Sequence, residues 1–147
     1  MKLGFLTACL PDRPLADIVR WATEHDYEAL EVAAWPALGD RPFTASHIAA
    51  ESFASGEAEK IRDLFGQHDL TLSSLAFYDN NLHPDPQERQ AINDHVIACI
   101  DAAALLEVPT VGTFIGRHPG QSVAENLREA EKIFPRLVDH AGQKGVK

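Results

Sequence analysis

Residues 142–147 read Gly142-Gln143-Lys144-Gly145-Val146-Lys147, and the reading of this stretch decides the fold. Glycine ends helices because it tolerates the left-handed backbone just past the last turn. An apolar residue after such a glycine is how a strand begins, so Val146 is expected to open a fifth strand. Upstream, Val123, Leu127, Ala130 and Phe134 recur at helical spacing, in a helix that Pro135 is expected to kink or split and that Gly142 and Gly145 end. Before it lie a loop over 116–120 and an apolar strand over 109–115. Ile92, Val96, Cys99 and Ala103 mark a long helix, preceded by the loop residues Asp79-Asn80-Asn81 and Pro84-Asp85-Pro86 and a strand over 70–78. Ala58, Ile61, Leu64 and Phe65 mark another helix, after a long irregular loop with a short helix over 37–56. A strand over 29–34 stops at Trp35-Pro36. Leu15, Ile18, Val19 and Ala22 form an amphipathic helix with Pro14 in its first turn, after a strand over 3–8 closed by Pro11.

The order is strand then helix, four times, with no linker or low-complexity tract. Such alternation implies parallel strands with right-handed crossovers. The fold expected is α/β, a (β/α)4 half of a TIM barrel with outer helices, as one domain over 1–147. The rival is a doubly wound sheet. Its nucleotide-binding members carry a glycine-rich turn after the first strand, whereas this chain has Ala8-Cys9-Leu10-Pro11-Asp12 and no phosphate loop. A flavodoxin-like sheet without those motifs stays open. A half-barrel would expose two edges and one inner face. Leu3, Phe5, Leu75, Phe77, Val111 and Thr113 are the candidates for that face, depending on register. The chain is therefore expected to pair with a second copy, swap elements or require a missing C-terminal half.

The 147 residues are 45% hydrophobic and 24% charged, with a formal net charge of −9. That balance argues against nucleic acid and anionic membranes as partners, which need clustered Lys and Arg. Cys9 and Cys99 match no zinc or redox spacing, and a cytoplasmic setting is the simpler expectation. The N-terminal apolar run is too short for a signal peptide, and no stretch approaches a membrane span.

Five segments carry a resemblance. They are Lys2-Leu3-Gly4-Phe5-Leu6-Thr7, Tyr27-Glu28-Ala29-Leu30-Glu31-Val32, Leu70-Thr71-Leu72-Ser73-Ser74-Leu75, Ala104-Leu105-Leu106-Glu107-Val108-Pro109-Thr110-Val111 and the run from Phe134-Pro135-Arg136-Leu137 to Val146. In this order they resemble the xylose-isomerase-like TIM barrels, the sugar-phosphate isomerase/epimerase group related to endonuclease IV. The chain departs from that pattern at Asp26 and Glu107, where the family usually has glycine. The resemblance implies metal-assisted proton transfer next to a carbonyl of a small sugar-like substrate. It also implies a divalent metal (Mn, Mg, Co or Zn), held by acidic residues and a histidine on strands five to eight. None of those positions falls in this chain, which would supply the first half of the pocket.

The resemblance places Glu31 where the family often has a second-strand Glu. A buried carboxylate there needs a partner, either a substrate hydroxyl or a structural one. His83 follows the third strand, at the end where barrels bind ligands, and matches a metal-ligand position of the endonuclease-like relatives; an exposed loop histidine is the plain alternative. His118 resembles their His-Pro-Gly, and with His83 would give two of the three ligands a catalytic site needs. Trp35 is either a wall against a sugar face or a cap on the core. Thr7 and Thr113 lie near strand ends and are candidates for substrate contact, although β-branched residues in strands usually just pack. Arg117 is a candidate for an anionic group. His25, His47, His68, His95 and His140 read as surface or helix-face residues. The expected function is sugar (phosphate) isomerase/epimerase-like; the alternative is a non-catalytic half-barrel that self-associates. A metal-dependent nuclease is disfavoured by the charge.

Overall fold

The computed structural model describes residues 1–36 and 45–147. β1 (Gly4–Leu6) runs through a 3-10 turn at Thr7–Cys9 into α1 (Leu15–Glu24). β2 (Ala29–Ala33) is followed by a 3-10 turn at Ala50–Ser52 and α2 (Ser55–Gln67). β3 (Thr71–Asn80) leads to α3 (Pro86–Leu105), and β4 (Val111–Phe114) to α4 (Val123–Lys144). The four strands are parallel and lie in the order β1-β2-β3-β4. The strand order never reverses, as it must in a doubly wound sheet; the fold is an α/β half-barrel. Lys147 donates its N–H to the Pro109 carbonyl (2.8 Å) and accepts from the Val111 N–H (2.9 Å), so it docks on the β4 edge as a parallel neighbour. Of the long loop read over 37–56, residues 37–44 lie outside the described residues; Ser46 pairs with Ala34, and α2 already starts at Ser55.

Register decides which face is which. Glu31 pairs with Leu6 on one side and Ser74 on the other. Residues flanking this row turn toward the helices, because side chains alternate along a strand. Phe5 meets the rings of Trp21 (6.1 Å) and Tyr27 (4.9 Å), and Phe77 meets His95 on α3 at 4.4 Å. Val111 and Thr113 share a small apolar cavity with Val96, Ile100, Phe134 and Leu137. The inner-face expectation for Phe5, Leu75, Phe77, Val111 and Thr113 is thus overturned: these side chains pack between sheet and helices. Leu3 precedes β1 and is 62% exposed.

Local signals set the helix ends. Asp85 caps α3 by accepting from the N–H groups of Gln87 and Glu88, with Pro86 in the first turn. Ser122 and Glu125 form a reciprocal capping box on α4. Pro135 sits inside α4 without splitting it, and Gly142 lies within the helix rather than ending it. Beyond Pro135 the helix is anchored by buried Leu137 and Ala141.

Each of the four helices stops in the same way. A residue with positive φ follows: Asp26 (62°), Asp69 (51°), Glu107 (59°) and Gly145 (72°). The next residue returns its N–H to a carbonyl of the last turn, from Tyr27 to Ala22, Leu70 to Phe65, Val108 to Ala103 and Val146 to Ala141. This is the Schellman closure with an apolar contact after it. Asp26 and Glu107, the departures noted above, occupy left-handed positions that glycine adopts without steric cost. Glu107→Gly is expected to stabilise the fold by about 0.5–1 kcal/mol, the left-handed penalty less glycine's greater chain entropy. Gly145→Ala is expected to destabilise it by about 1 kcal/mol. Both are read from urea unfolding midpoints at unchanged m.

Candidate functional site

The inner face of β2, β3 and β4 holds the one cluster that the register assembles around Glu31. Its Oε1 accepts from the Tyr78 hydroxyl at 2.7 Å and from the Ser74 hydroxyl at 3.1 Å. Gly112 on β4 leaves room for them: a Cβ there would lie 2.4 Å from the Tyr78 oxygen and 3.0 Å from Glu31 Oε1. Burial, the hydrogen bond to Glu31 and the Glu31 charge push the Tyr78 phenol up to about 12. The phenol therefore stays a neutral donor at ordinary pH. The Tyr78 ring lies 4.9 Å from Phe114 and 6.2 Å from Trp35. Phe114 is 56% exposed and Trp35 only 6%. Below this row a groove of about 470 Å³ is lined by Lys2, Gly4, Leu6, Ala29, Glu31 and Ser74.

The other candidates have different surroundings. Thr7 is fully buried; its Oγ1 accepts from the Ala33 N–H (2.9 Å) and bonds His47 Nδ1 (2.9 Å). His47 Nε2 faces the Leu10 carbonyl at 3.2 Å. That carbonyl can only accept, so Nε2 carries the proton and Nδ1 accepts from Thr7. Trp35 is mostly core, edge-on to Phe77 at 6.0 Å. His83 belongs to the α3 cap, its Nδ1 accepting from the Asp85 N–H at 3.2 Å. Arg117 is exposed, and its backbone is clamped by the Asn80 amide on both N–H and carbonyl. Thr113 lies on the helix side, where its hydroxyl accepts from Asn81 at 2.9 Å, and so is turned away from Glu31. His118 Nδ1 accepts from the Gly120 N–H, and Asn126 bonds its backbone. Among the described residues no group of three His, Cys, Asp or Glu side chains is placed to hold a metal ion.

Tyr78, Ser74, Phe114 and Gly112 escape the sequence reading, which has no means of pairing strands residue by residue. Two histidines read as surface or helix-face residues are structural. His47 ties the segment after β2 to Leu10, and His95, 4% exposed, sits between the Glu51 carboxylate and the Ala34 carbonyl, both at 2.7 Å. Burial holds the His47 imidazole below its ordinary value of 6.5. Below that pH the unfolded chain takes up a proton that the folded chain resists, so stability present above pH 6.5 is lost as the pH falls. Urea midpoints are expected to drop as the pH falls below about 6.5, and His47→Gln to flatten that slope.

Comparison with known proteins agrees with this architecture. The xylose isomerase-like TIM barrel family matches residues 19–147. No curated protein matches the chain. Among solved structures, a putative xylose isomerase from Rhodospirillum rubrum is 21% identical with a TM-score of 0.70, covering 100% of this chain and 52% of its own. A D-psicose 3-epimerase, solved in the presence of D-fructose, is 16% identical with a TM-score of 0.70, at 100% and 50% coverage. The IOLI protein with a binding zinc atom is 19% identical with a TM-score of 0.72, at 100% and 50% coverage. The chain thus spans about half the length of the solved structures it matches. No described helix is long and apolar enough to cross a membrane. With four parallel strands in barrel order and a family match over most of its length, the chain belongs to the xylose isomerase-like TIM barrels.

Proposed function

We propose that residues 1–147 are one domain, the substrate-facing first half of a sugar (phosphate) isomerase/epimerase barrel. The reaction is proton transfer next to the carbonyl of a small sugar-like substrate. One observation carries this reading: Glu31 stands on the inner face as a carboxylate held by two neutral hydroxyls. Among the described residues no cation pairs with it, so the carboxylate is left as an acceptor for a sugar hydroxyl. Tyr78 and the exposed ring of Phe114 offer an apolar wall to the sugar's C–H face. In this reading Trp35 backs that wall, Thr7 is a structural support, and His83 and Arg117 lie on the loops past β3 and β4 where substrate polar groups would reach them. The divalent metal, Mn, Mg, Co or Zn, is held by groups of the second half of the barrel. The setting is cytoplasmic.

The test is exchange of the carbonyl-adjacent proton of ketohexoses with D2O, followed by NMR, for the protein that carries residues 1–147 with Mn²⁺ added. Exchange is expected, and Glu31→Gln is expected to slow it about tenfold or more, the worth of a charged hydrogen bond to substrate. Exchange that is undiminished in Glu31→Gln, or absent across ketoses and their phosphates, sinks the reading.

A second reading, a non-catalytic half-barrel that self-associates, is favoured by the apolar side chains left open around β4 and α4. Phe114, Ile115, Val123, Leu127 and Val138 are between 52% and 77% exposed. Light scattering separates the two. A dimer of 1–147 that binds no ketose supports the second reading, whereas a monomer that binds one supports the first.

A further inference from the structure

We infer that Tyr78 is a positioning residue for Glu31: its hydroxyl fixes Oε1 so that Oε2 is presented to a hydroxyl of a polyol ligand, and Gly112 is the gap that makes this possible. The inference rests on the reading of Glu31 as a ligand acceptor. Both protein donors to Glu31 converge on one oxygen, Tyr78 at 2.7 Å and Ser74 at 3.1 Å. Among the described residues no hydrogen bond or ion pair reaches the other oxygen. An unheld glutamate has three rotatable bonds, and ordering it on ligand arrival costs side-chain entropy. A Lys or Arg partner would also order it, but would spend its charge. A phenol orders it without doing so.

The phenol is itself fixed. Its ring is held at 4.9 Å by Phe114 and 6.2 Å by Trp35. It keeps its proton because burial and the neighbouring carboxylate push its ionisation up to about 12. Its oxygen occupies the space beside β4 that any side chain at position 112 would take, since a Cβ would approach to 2.4 Å. Contacts that short do not persist, so alanine at 112 would push the phenol away from the carboxylate. Glycine is required here for space, not for backbone conformation: Gly112 is not among the positive-φ residues.

The first test needs no substrate. The chain has two tyrosines, so Tyr27→Phe leaves Tyr78 alone, and its ring carbon Cζ can be followed by 13C NMR against pH. Tyr78 is expected to remain phenolic past pH 10 and to titrate near 12, and Glu31→Gln or Gly112→Ala to bring the transition back toward 10. An unchanged transition in Glu31→Gln overturns the inference. The second test is a double-mutant cycle on kcat/KM for carbonyl-adjacent exchange, in the protein that carries residues 1–147. Tyr78→Phe is expected to cost about tenfold with Glu31 present and almost nothing in the Glu31→Gln background, since it acts only through Glu31. Equal losses in both backgrounds overturn it. If the parent protein shows no exchange, the proposed function fails, and the tyrosine titration decides the Tyr78–Glu31 coupling by itself.

Discussion

A carboxylate in the middle of a sheet cannot face a packed apolar layer without a heavy desolvation cost. Glu31 is that carboxylate, and its placement fixes the faces of all four strands. With Glu31 turned away from the helices, Leu30 and Val32 must turn toward them, and both are fully buried. Parallel pairing passes the choice to β3, where Ser74 and Tyr78 share the side of Glu31 while Leu75 and Phe77 join the core. It then reaches β4, where the residue beside the Tyr78 hydroxyl has no side chain. The helices lie on the face that this leaves apolar.

Much of this was legible in the sequence. The apolar stripes of Ile18, Val19 and Ala22 in α1 and of Ile92, Val96 and Cys99 in α3 have one meaning each, because helical periodicity survives without knowledge of neighbours. Strand faces do not share this property, since a shift of one residue exchanges them. β3 shows why. Its register with β2 slips next to Glu31, so Leu30 pairs with Leu72 but Glu31 pairs with Ser74. Leu72 packs against the core, yet Ser74, two residues on, hydrogen-bonds Glu31 on the other face. Simple alternation over 70–78 carries no sign of that slip, on which the faces of Leu75 and Phe77 depend. The same blindness hid Tyr78, which reads as the last residue of an apolar strand until its partner across the sheet is known.

The histidines fail for a related reason. His47 comes from a segment with no strong periodicity of its own, and His95 from a helix face whose partners the sequence does not name. Their roles come from what approaches them: the Thr7 hydroxyl and Leu10 carbonyl for one, Glu51 and the Ala34 carbonyl for the other. Together they fasten the segment following β2 to β1's turn and to α3. This connection leaves the sheet at the strand C-terminal ends, where barrels place ligands. Its described residues are thus tied to β1's turn and to α3 by hydrogen bonds as well as by apolar packing.

The repeated helix stop has a consequence in time. Every one of these closures is made between residues close in sequence, from Tyr27 back to Ala22 through to Val146 back to Ala141. None waits for a segment synthesised later. As the chain leaves the ribosome, each helix can be sealed and its following strand aimed before the next unit exists. The half-barrel is in this sense written to be assembled from its N-terminus, strand upon strand, with the growing edge always the newest one.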